Sequence, residues 1–356
     1  MNPTAHWYTI SRPPAIAIIR GMQVTSCKSR VASRRLIVVA FVLSLTPHAH
    51  AETHTFTRQQ FYNTYSAAHP PALRVKPGDR IVTKTIDASG VDWNGRQVAQ
   101  GPNPQTGPFY VEGAEPGDVL VVRFVRVATN RATAYASSLL APYAVDPGAI
   151  AARVDREPKR LTWTIDTAKG VARLDDPSVQ PGGIELRLRP MLGCVAVAPA
   201  RKEAISSATP GAWGGNMDYV GMGAGVTLML PVNEPGALLF LGDGHARMGE
   251  GEVVGTGLET SMDVEFDVDL IKKKPIAWPR MESATHILVL GSARPLLEAF
   301  QHATTEMQKW LMADYGFTER GAQAFMGQAA EYEVANVVDP NFTVVAKIAK
   351  SSLPRR

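Results

Sequence analysis

The chain has 356 residues, of which 45% are hydrophobic and 20% are charged, and this composition excludes a disordered or collagen-like protein. The formal net charge is +4, but six of the 37 basic residues and none of the 33 acidic residues lie in residues 1–51. The remaining 31 basic and 33 acidic residues show no clustered positive charge, so we predict no nucleic-acid partner. Two cysteines are too few for a disulfide framework.

The N-terminal segment, residues 1–51, has the pattern of a secretory signal. A basic stretch precedes the apolar run Leu36–Leu45, and Ala49-His50-Ala51 is an A-x-A cleavage pattern. The apolar run is about half the length that spans a bilayer, so we predict no membrane association beyond export.

This signal predicts both the compartment and the domain boundary. Cleavage after Ala51 leaves residues 52–356 as one mature domain in the periplasm or outside the cell. Met22 is an alternative start, because residues 1–21 contain nothing typical of export. Ser33-Arg34-Arg35 resembles a twin-arginine signal, which is the alternative export route.

Most of the mature chain is predicted to be β-strand. In several segments apolar and polar residues alternate, which is typical of strands with one buried face. Other segments are mostly apolar and indicate strands in the centre of a sheet. The predicted strands are Arg80–Ile86, Asp118–Val127, Leu161–Ile165, Ile184–Leu188, Met191–Ala198, Gly225–Pro231, Ala237–Leu241, Ser261–Leu270, His286–Leu290 and Asn341–Ile348.

Helical periodicity appears late in the chain. From Pro295 to Leu311 apolar residues recur at three- and four-residue spacing, which predicts an amphipathic helix. A second helix is predicted from Thr318 to Met326, and the weakly periodic residues 128–160 are predicted to be a long loop. Strands followed by helices favour a β-rich α+β fold, with a large mixed or antiparallel sheet or a barrel-like core and C-terminal helices.

Asp243 and His245 are the strongest candidates for chemistry. They follow the apolar strand Ala237–Leu241 at a Gly-rich turn, and D-x-H spacing in an extended chain points both side chains to one face. This arrangement suits metal ligation or a histidine oriented by an aspartate, and a turn-capping aspartate beside a solvated histidine is the alternative. Further polar residues at Gly-rich segments are Asp87, Glu112, Asn216, Asp218 and Glu252.

The motifs of the common hydrolases are missing from the sequence. It contains no G-x-S-x-G elbow, no H-E-x-x-H motif and no C-x-x-C pair. The single thiol of the mature chain, Cys194, lies in an apolar run and is predicted to be a buried strand residue rather than a nucleophile.

Four segments together resemble the acetamidase/formamidase family. They are Thr106–Leu120 (TGPFYVEGAEPGDVL), Gly214–Asp218, Leu241–Ala246 and Gly251–Val253, in the order found in that family. The resemblance covers roughly residues 70–345. It implies a β-rich homo-oligomer, a dimer or larger, that hydrolyses short aliphatic amides to a carboxylate and ammonia. The implied site residues are Asp87, Glu112, Asn216, Asp218, Asp243, His245 and Glu252.

Amide hydrolysis needs an activated nucleophile, a stabiliser for the oxyanion and an acid for the leaving nitrogen. Because no serine or cysteine nucleophile is evident, our hypothesis is a divalent metal ion, Zn²⁺ with Ca²⁺ as the alternative. Its predicted ligands are Asp87, Asp243 and His245. The predicted catalytic residues are Glu112 as the base, Asn216 as the donor to the carbonyl oxygen, Asp218 as a positioning group and Glu252.

Two alternatives remain open from the sequence. The first is a metal-free enzyme, in which Asp87, Glu112 or Asp218 activates water or attacks the amide directly. The second is a periplasmic small-molecule binding protein that retains the amidase fold without turnover. The acids and the histidine of the candidate segments are all present, which favours an enzyme.

Overall fold

The computed structural model describes residues 51–153 and 157–354. The predicted export signal lies outside these residues, except for its last residue, and therefore stays a prediction. Among the described helices, none combines the length and the apolar character that a membrane crossing requires.

Strands account for most of the regular structure in these residues. Numbered in chain order, they are β1 (Thr53–Phe56), β2 (Thr64–Ser66), β3 (Leu73–Val75), β4 (Arg80–Lys84), β5 (Thr106–Val111), β6 (Val119–Thr129), β7 (Thr133–Ser137), β8 (Arg160–Asp166), β9 (Val171–Leu174), β10 (Ile184–Arg187), β11 (Met191–Ala196), β12 (Ala204–Ser206), β13 (Gly214–Asn216), β14 (Thr227–Pro231), β15 (Leu239–His245), β16 (Glu259–Thr260), β17 (Met262–Ile271), β18 (Arg280–Glu282), β19 (His286–Ala293), β20 (Glu331–Asn336) and β21 (Phe342–Ala349). The helices are α1 (Pro147–Ala151), α2 (Leu296–Tyr315) and α3 (Glu319–Ala329), with 3₁₀ turns at Pro142–Ala144, Ala200–Lys202 and Lys350–Ser352.

Within the described residues the strands form two large sheets and one small pair. The first sheet has the order β1-β4-β17-β6-β14-β18-β19-β21-β20. The second has the order β10-β9-β8-β7-β16-β15-β11-β13, and β5 joins it by pairing with β15 and β3. Most pairs are antiparallel, whereas β1 with β4 and β3 with β5 are parallel, so both large sheets are mixed. The small pair consists of β2 and β12.

The largest hydrophobic core contains residues from both large sheets. In β17 every second residue is buried over most of its length, including Val264, Phe266 and Val268. Phe266 packs edge-to-face on Phe109 of β5, with ring centroids 5.6 Å apart. Because full burial of such a side chain contributes about 1.5–3 kcal/mol, the alternating pattern holds the two sheets together.

The two C-terminal helices that the sequence predicted are present, and they pack against the first sheet. Helix α2 buries Ala303, Met307 and Trp310 in a second core shared with β19 and β21. Helix α3 begins after Thr318, whose hydroxyl accepts a hydrogen bond from the backbone N–H of Gly321 at 3.1 Å, an N-terminal cap. The β-rich α+β class with C-terminal helices is therefore confirmed.

Two local predictions differ from the structure. Residues 128–160 are not one long loop, because β7 and α1 lie within them. The β7 segment is short and rich in small residues, so its alternation was too weak to recognise. Residues 242–245 are not a turn but the end of β15, since this part of the strand pairs with both β11 and β16.

Candidate active site

The candidate site is built around the end of β15, a strand whose seven residues are all buried. β15 pairs with β11, where Cys194 faces Gly242, and with β16, where Glu259 faces His245. Oδ1 of Asp243 lies 3.5 Å from Nε2 of His245. The structure thus brings Asp243 and His245 together, as the D-x-H spacing predicted.

Further acidic side chains converge on this pair from distant parts of the chain. Asp218 follows β13, Glu252 lies in a turn after β15, and Asp339 lies between β20 and β21. Three overlapping groups each have ligand atoms within 4.8 Å of one another: Asp218, Asp243 and His245; His245, Glu252 and Glu259; and Asp218, Glu252 and Asp339. We call these six residues the carboxylate cluster.

Two glycines provide the space that the carboxylate cluster occupies. A Cβ atom on Gly193 would lie 2.3 Å from Oδ1 of Asp218 and 2.4 Å from Oδ2 of Asp243. A Cβ atom on Gly257 would lie 2.5 Å from Nδ1 of His245. Neither glycine has a positive φ, so the requirement for glycine is one of space and not of backbone conformation.

Several residues of the site hold a left-handed backbone conformation. The φ angles are +46° at Asn103, +45° at Asp218, +57° at Asp243 and +48° at Glu252. In a residue other than glycine such a conformation costs roughly 1–3 kcal/mol and persists where the surrounding structure enforces it. Four such residues in and around one pocket indicate a functional site.

Burial dominates the electrostatics of the carboxylate cluster. It raises the pKa of Asp218 and of Glu252 well above the usual range, and neighbouring carboxylates raise both further. Burial also raises the pKa of Glu259, to about 7, against the opposing effect of His245. Burial lowers the pKa of His245, but Glu259 and Asp243 outweigh that effect and hold it well above its usual value. One imidazole does not balance so many buried acids.

Within the described residues, several buried polar atoms of the carboxylate cluster lack a hydrogen-bond partner. They are both carboxylate oxygens of Asp218, both ring nitrogens of His245 and Oε2 of Glu259. Nε2 of His245 lies 3.0 Å from Oε1 of Glu259, but outside hydrogen-bond geometry. Leaving such atoms unpartnered costs free energy, and a divalent cation would satisfy carboxylate and imidazole groups together. The residues therefore fit a divalent cation.

A pocket of about 410 Å³ opens onto the carboxylate cluster. Its wall combines carboxylates with small and neutral side chains, and none of its lining residues in the described part of the chain is basic. The lining includes Ser89, Asn103, Tyr135, Ala208, Asn216, Asp243, Glu252, Thr256, Glu259 and Asp339. A small neutral molecule in this pocket therefore meets four acids of the carboxylate cluster, Asp243, Glu252, Glu259 and Asp339.

Two residues of the sequence-based set lie elsewhere, and the structure corrects their placement. Asp87 is buried, but one oxygen is 2.6 Å from Nη2 of Arg131 and the other accepts hydrogen bonds from Ser89 and Val91. It secures its own turn and is not in the carboxylate cluster. Glu112 has a side chain that is 45% exposed and lies 3.9 Å from Nε of Arg74, so it is not placed to act as the base.

The other sequence-based residues are at the site. Asp218, Asp243, His245 and Glu252 belong to the carboxylate cluster, and Asn216 lines the pocket. Cys194 is fully buried in β11, as predicted. Burial, and then the charges of Asp243 and Asp218, raise the pKa of its thiol well above the usual value, which keeps it protonated and unsuited to nucleophilic attack.

Sequence reasoning missed Glu259, Asp339 and Asn103. Glu259 reaches the cluster through the pairing of β16 with β15, a register that no local pattern indicates. Asp339 precedes a proline in the turn before the last strand, a position that usually indicates only a turn. Asn103 lies two residues after Gly101, in the polar segment before β5, and its left-handed backbone is a signal that appears only in the structure.

One family model and several solved structures match this chain. Residues 191–352 match the model of the acetamidase/formamidase family. An acetamidase from Yersinia enterocolitica is 31% identical, with a TM-score of 0.75, and the match covers 86% of this chain and 95% of that one. No curated protein sequence matches the chain.

Two further solved structures are similar over nearly their whole length. A predicted acetamidase/formamidase from the thermophile Thermoanaerobacter tengcongensis is 26% identical, with a TM-score of 0.72, covering 85% of this chain and 96% of that one. An acetamidase from Bacillus halodurans is 27% identical, with a TM-score of 0.70, covering 83% and 97%. The shared fold thus extends well beyond the residues that match the family model.

Proposed function

Because this chain belongs to the acetamidase/formamidase family and is therefore an amidase that hydrolyses carbon–nitrogen bonds, we propose that its substrates are short aliphatic amides. Formamide, acetamide and propionamide represent this class. The products are a carboxylate and ammonia.

The observation that carries this proposal is the pocket that ends at the carboxylate cluster. Its lining has no basic residue in the described part of the chain, which suits an uncharged molecule, and it includes four acids of the carboxylate cluster that can serve the proton transfers of amide hydrolysis. Cys194 is buried and protonated, which supports attack by water rather than by a protein thiol.

We propose that the carboxylate cluster binds a divalent cation through Asp218, Asp243 and His245. A mixed set of imidazole and carboxylates favours Zn²⁺. The all-oxygen set of Asp218, Glu252 and Asp339 would favour Ca²⁺, which is the alternative. When bound, such a cation polarises a substrate carbonyl and lowers the pKa of water.

Glu259 is our choice for the group that moves the proton. Hydrolysis joins the water oxygen to the amide carbon and breaks the C–N bond, so one proton must pass from water to the leaving nitrogen. Oε1 of Glu259 accepts a hydrogen bond from the backbone N–H of Gly257 at 2.9 Å, and this bond holds the carboxylate in place. Within the described part of the chain Oε2 has no hydrogen-bond partner, so it is available to take up the proton and to return it.

The decisive experiment is an ammonia-release assay on residues 52–356 with formamide, acetamide and propionamide. We expect saturable turnover of at least one amide, strong loss of rate after treatment with a chelator, and recovery on addition of Zn²⁺. Adding Ca²⁺ in parallel distinguishes the two proposed ions. Saturable binding without ammonia release would contradict the enzyme, and full activity of demonstrably metal-free protein would contradict the cation.

We also propose that the leader, residues 1–51, directs export and is then removed. When the full chain is expressed in a bacterium, we expect the periplasmic protein to begin at Glu52, and we expect Ala51→Leu to reduce cleavage because the A-x-A pattern needs small residues. An uncleaved protein found only in the cytoplasm would contradict export.

Light scattering on the same sample tests the homo-oligomer that the family resemblance implies.

A further inference from the structure

Asn216 is the residue that the sequence suggested for binding the substrate oxygen. In the structure both the oxygen and the nitrogen of its side-chain amide make hydrogen bonds within the protein. Its Oδ1 lies 2.7 Å from Sγ of Cys194, which donates the thiol hydrogen. Its Nδ2 donates to Oδ2 of Asp339 at 2.8 Å. With both of these contacts made inside the protein and only 4% of the residue exposed, Asn216 is poorly placed to turn toward a substrate.

Asn103 lines the same pocket, and the amide nitrogen of its side chain makes only contacts of 3.5 Å or longer. Its backbone is fixed, because its N–H donates to the carbonyl oxygen of Ala88 at 2.9 Å and its own carbonyl oxygen accepts from Nε2 of Gln105 at 2.9 Å. The φ angle of +46° is a conformation that asparagine adopts more readily than most residues. The loop therefore presents this side chain in a defined place.

The amide nitrogen of Asn103 makes only long contacts within the described structure. Nδ2 is 3.5 Å from Oδ2 of Asp243 and 3.9 Å from Sγ of Cys194. Good N–H···O hydrogen bonds measure about 2.7–3.2 Å, so this nitrogen retains donor capacity beside the reacting centre. In their ionised form the neighbouring carboxylates of Asp243, Glu252 and Glu259 only accept hydrogen bonds, so they offer no donor to a developing negative oxygen, whereas the amide of Asn103 is a donor in every protonation state of the site.

We infer that Asn103 is a catalytic residue that donates a hydrogen bond from Nδ2 to the amide oxygen of the substrate. This inference rests on the proposed hydrolysis of short amides. As water adds to the carbonyl carbon, the oxygen gains negative charge, and the hydrogen bond from a prepositioned donor strengthens. Asn216 is then not the donor to the substrate oxygen, and its amide nitrogen instead holds Asp339 in place.

The test compares Asn103→Gly and Asn103→Asp with the unaltered protein, using acetamide and measuring ammonia. Glycine removes the amide but accepts the left-handed backbone, so the loop retains its conformation. Aspartate keeps the shape and removes the donor. Asn94→Ala is the matched control, because Asn94 is exposed on a neighbouring turn and does not line the pocket.

We expect kcat to fall by about 100-fold in Asn103→Gly and at least as much in Asn103→Asp, with KM changed by less than roughly threefold. The thermal midpoint should stay close to that of the unaltered protein. A normal kcat in Asn103→Gly, or a raised KM with normal kcat, would overturn the inference while leaving the amidase proposal intact. An unaltered protein that releases no ammonia from any of the three amides would overturn both.

Discussion

Replacing His245 with alanine is expected to lower kcat/KM for the preferred amide by about 1,000-fold or more. His245 is fully buried, and its ring lies within 3.0 Å of Glu259 and 3.5 Å of Asp243. Both ring nitrogens lack hydrogen-bond partners in the described structure, so the imidazole is available as a ligand or as a counter-ion to the acids. Without it the buried carboxylates lose the imidazole whose charge offsets their mutual repulsion.

The measurement is ammonia release at several acetamide concentrations, with Zn²⁺ affinity determined by calorimetry on the same protein. We expect weaker Zn²⁺ binding in His245→Ala, and His245→Gln serves as a second variant that better preserves the side-chain volume. His302→Ala is the matched control, because that histidine lies on α2, stacked on Trp278. Near-normal turnover in both His245 variants would show that the imidazole takes no part in the reaction.

The second large effect is expected for Gly193→Ala, a change of one methyl group in β11. The new Cβ would lie 2.3 Å from Oδ1 of Asp218 and 2.4 Å from Oδ2 of Asp243, where real contacts are at least 3.0 Å. Both aspartates are almost fully buried, so they can move only by changing their positions relative to His245. A displacement of about 1 Å can cost about 100-fold in rate, and because two carboxylates move, we expect a loss of about 1,000-fold.

A substitution of the same chemical kind elsewhere in the site region provides the control. A Cβ on Gly249 meets nothing within 4 Å, and the φ of this residue is not in the left-handed range. It lies three residues before Glu252, so Gly249→Ala tests whether an added methyl group near the site is harmful in itself. We expect Gly249→Ala to retain most of its activity. Equal activities of the two variants would contradict the packing argument for Gly193.

The parts of the fold that the sequence predicted are those with strong local periodicity. Alternation predicted a strand at Ser261–Leu270, and the structure has β17 there, shifted by one residue. The helix predicted at 318–326 is α3, and its cap at Thr318 could be recognised from residue types alone. The strand β5 was not predicted, because it is buried on both faces and carries a glycine and a proline.

In the candidate site, too, the sequence predicted some of the residues and not others. Asp243 and His245 are two residues apart on one strand, so the sequence by itself determined that they are neighbours. The motifs that resemble the acetamidase/formamidase family also determined the reaction class, which the comparisons support.

Only the tertiary structure decided which acids join this pair. It excluded Asp87, which pairs with Arg131 from 44 positions along the chain, and Glu112, which faces solvent beside Arg74. It brought in Glu259 through a strand register and Asp339 through a turn more than ninety residues after Asp243. Contacts of this range depend on how the sheets pair and pack, whereas local periodicity shows only which face of a strand or helix is buried.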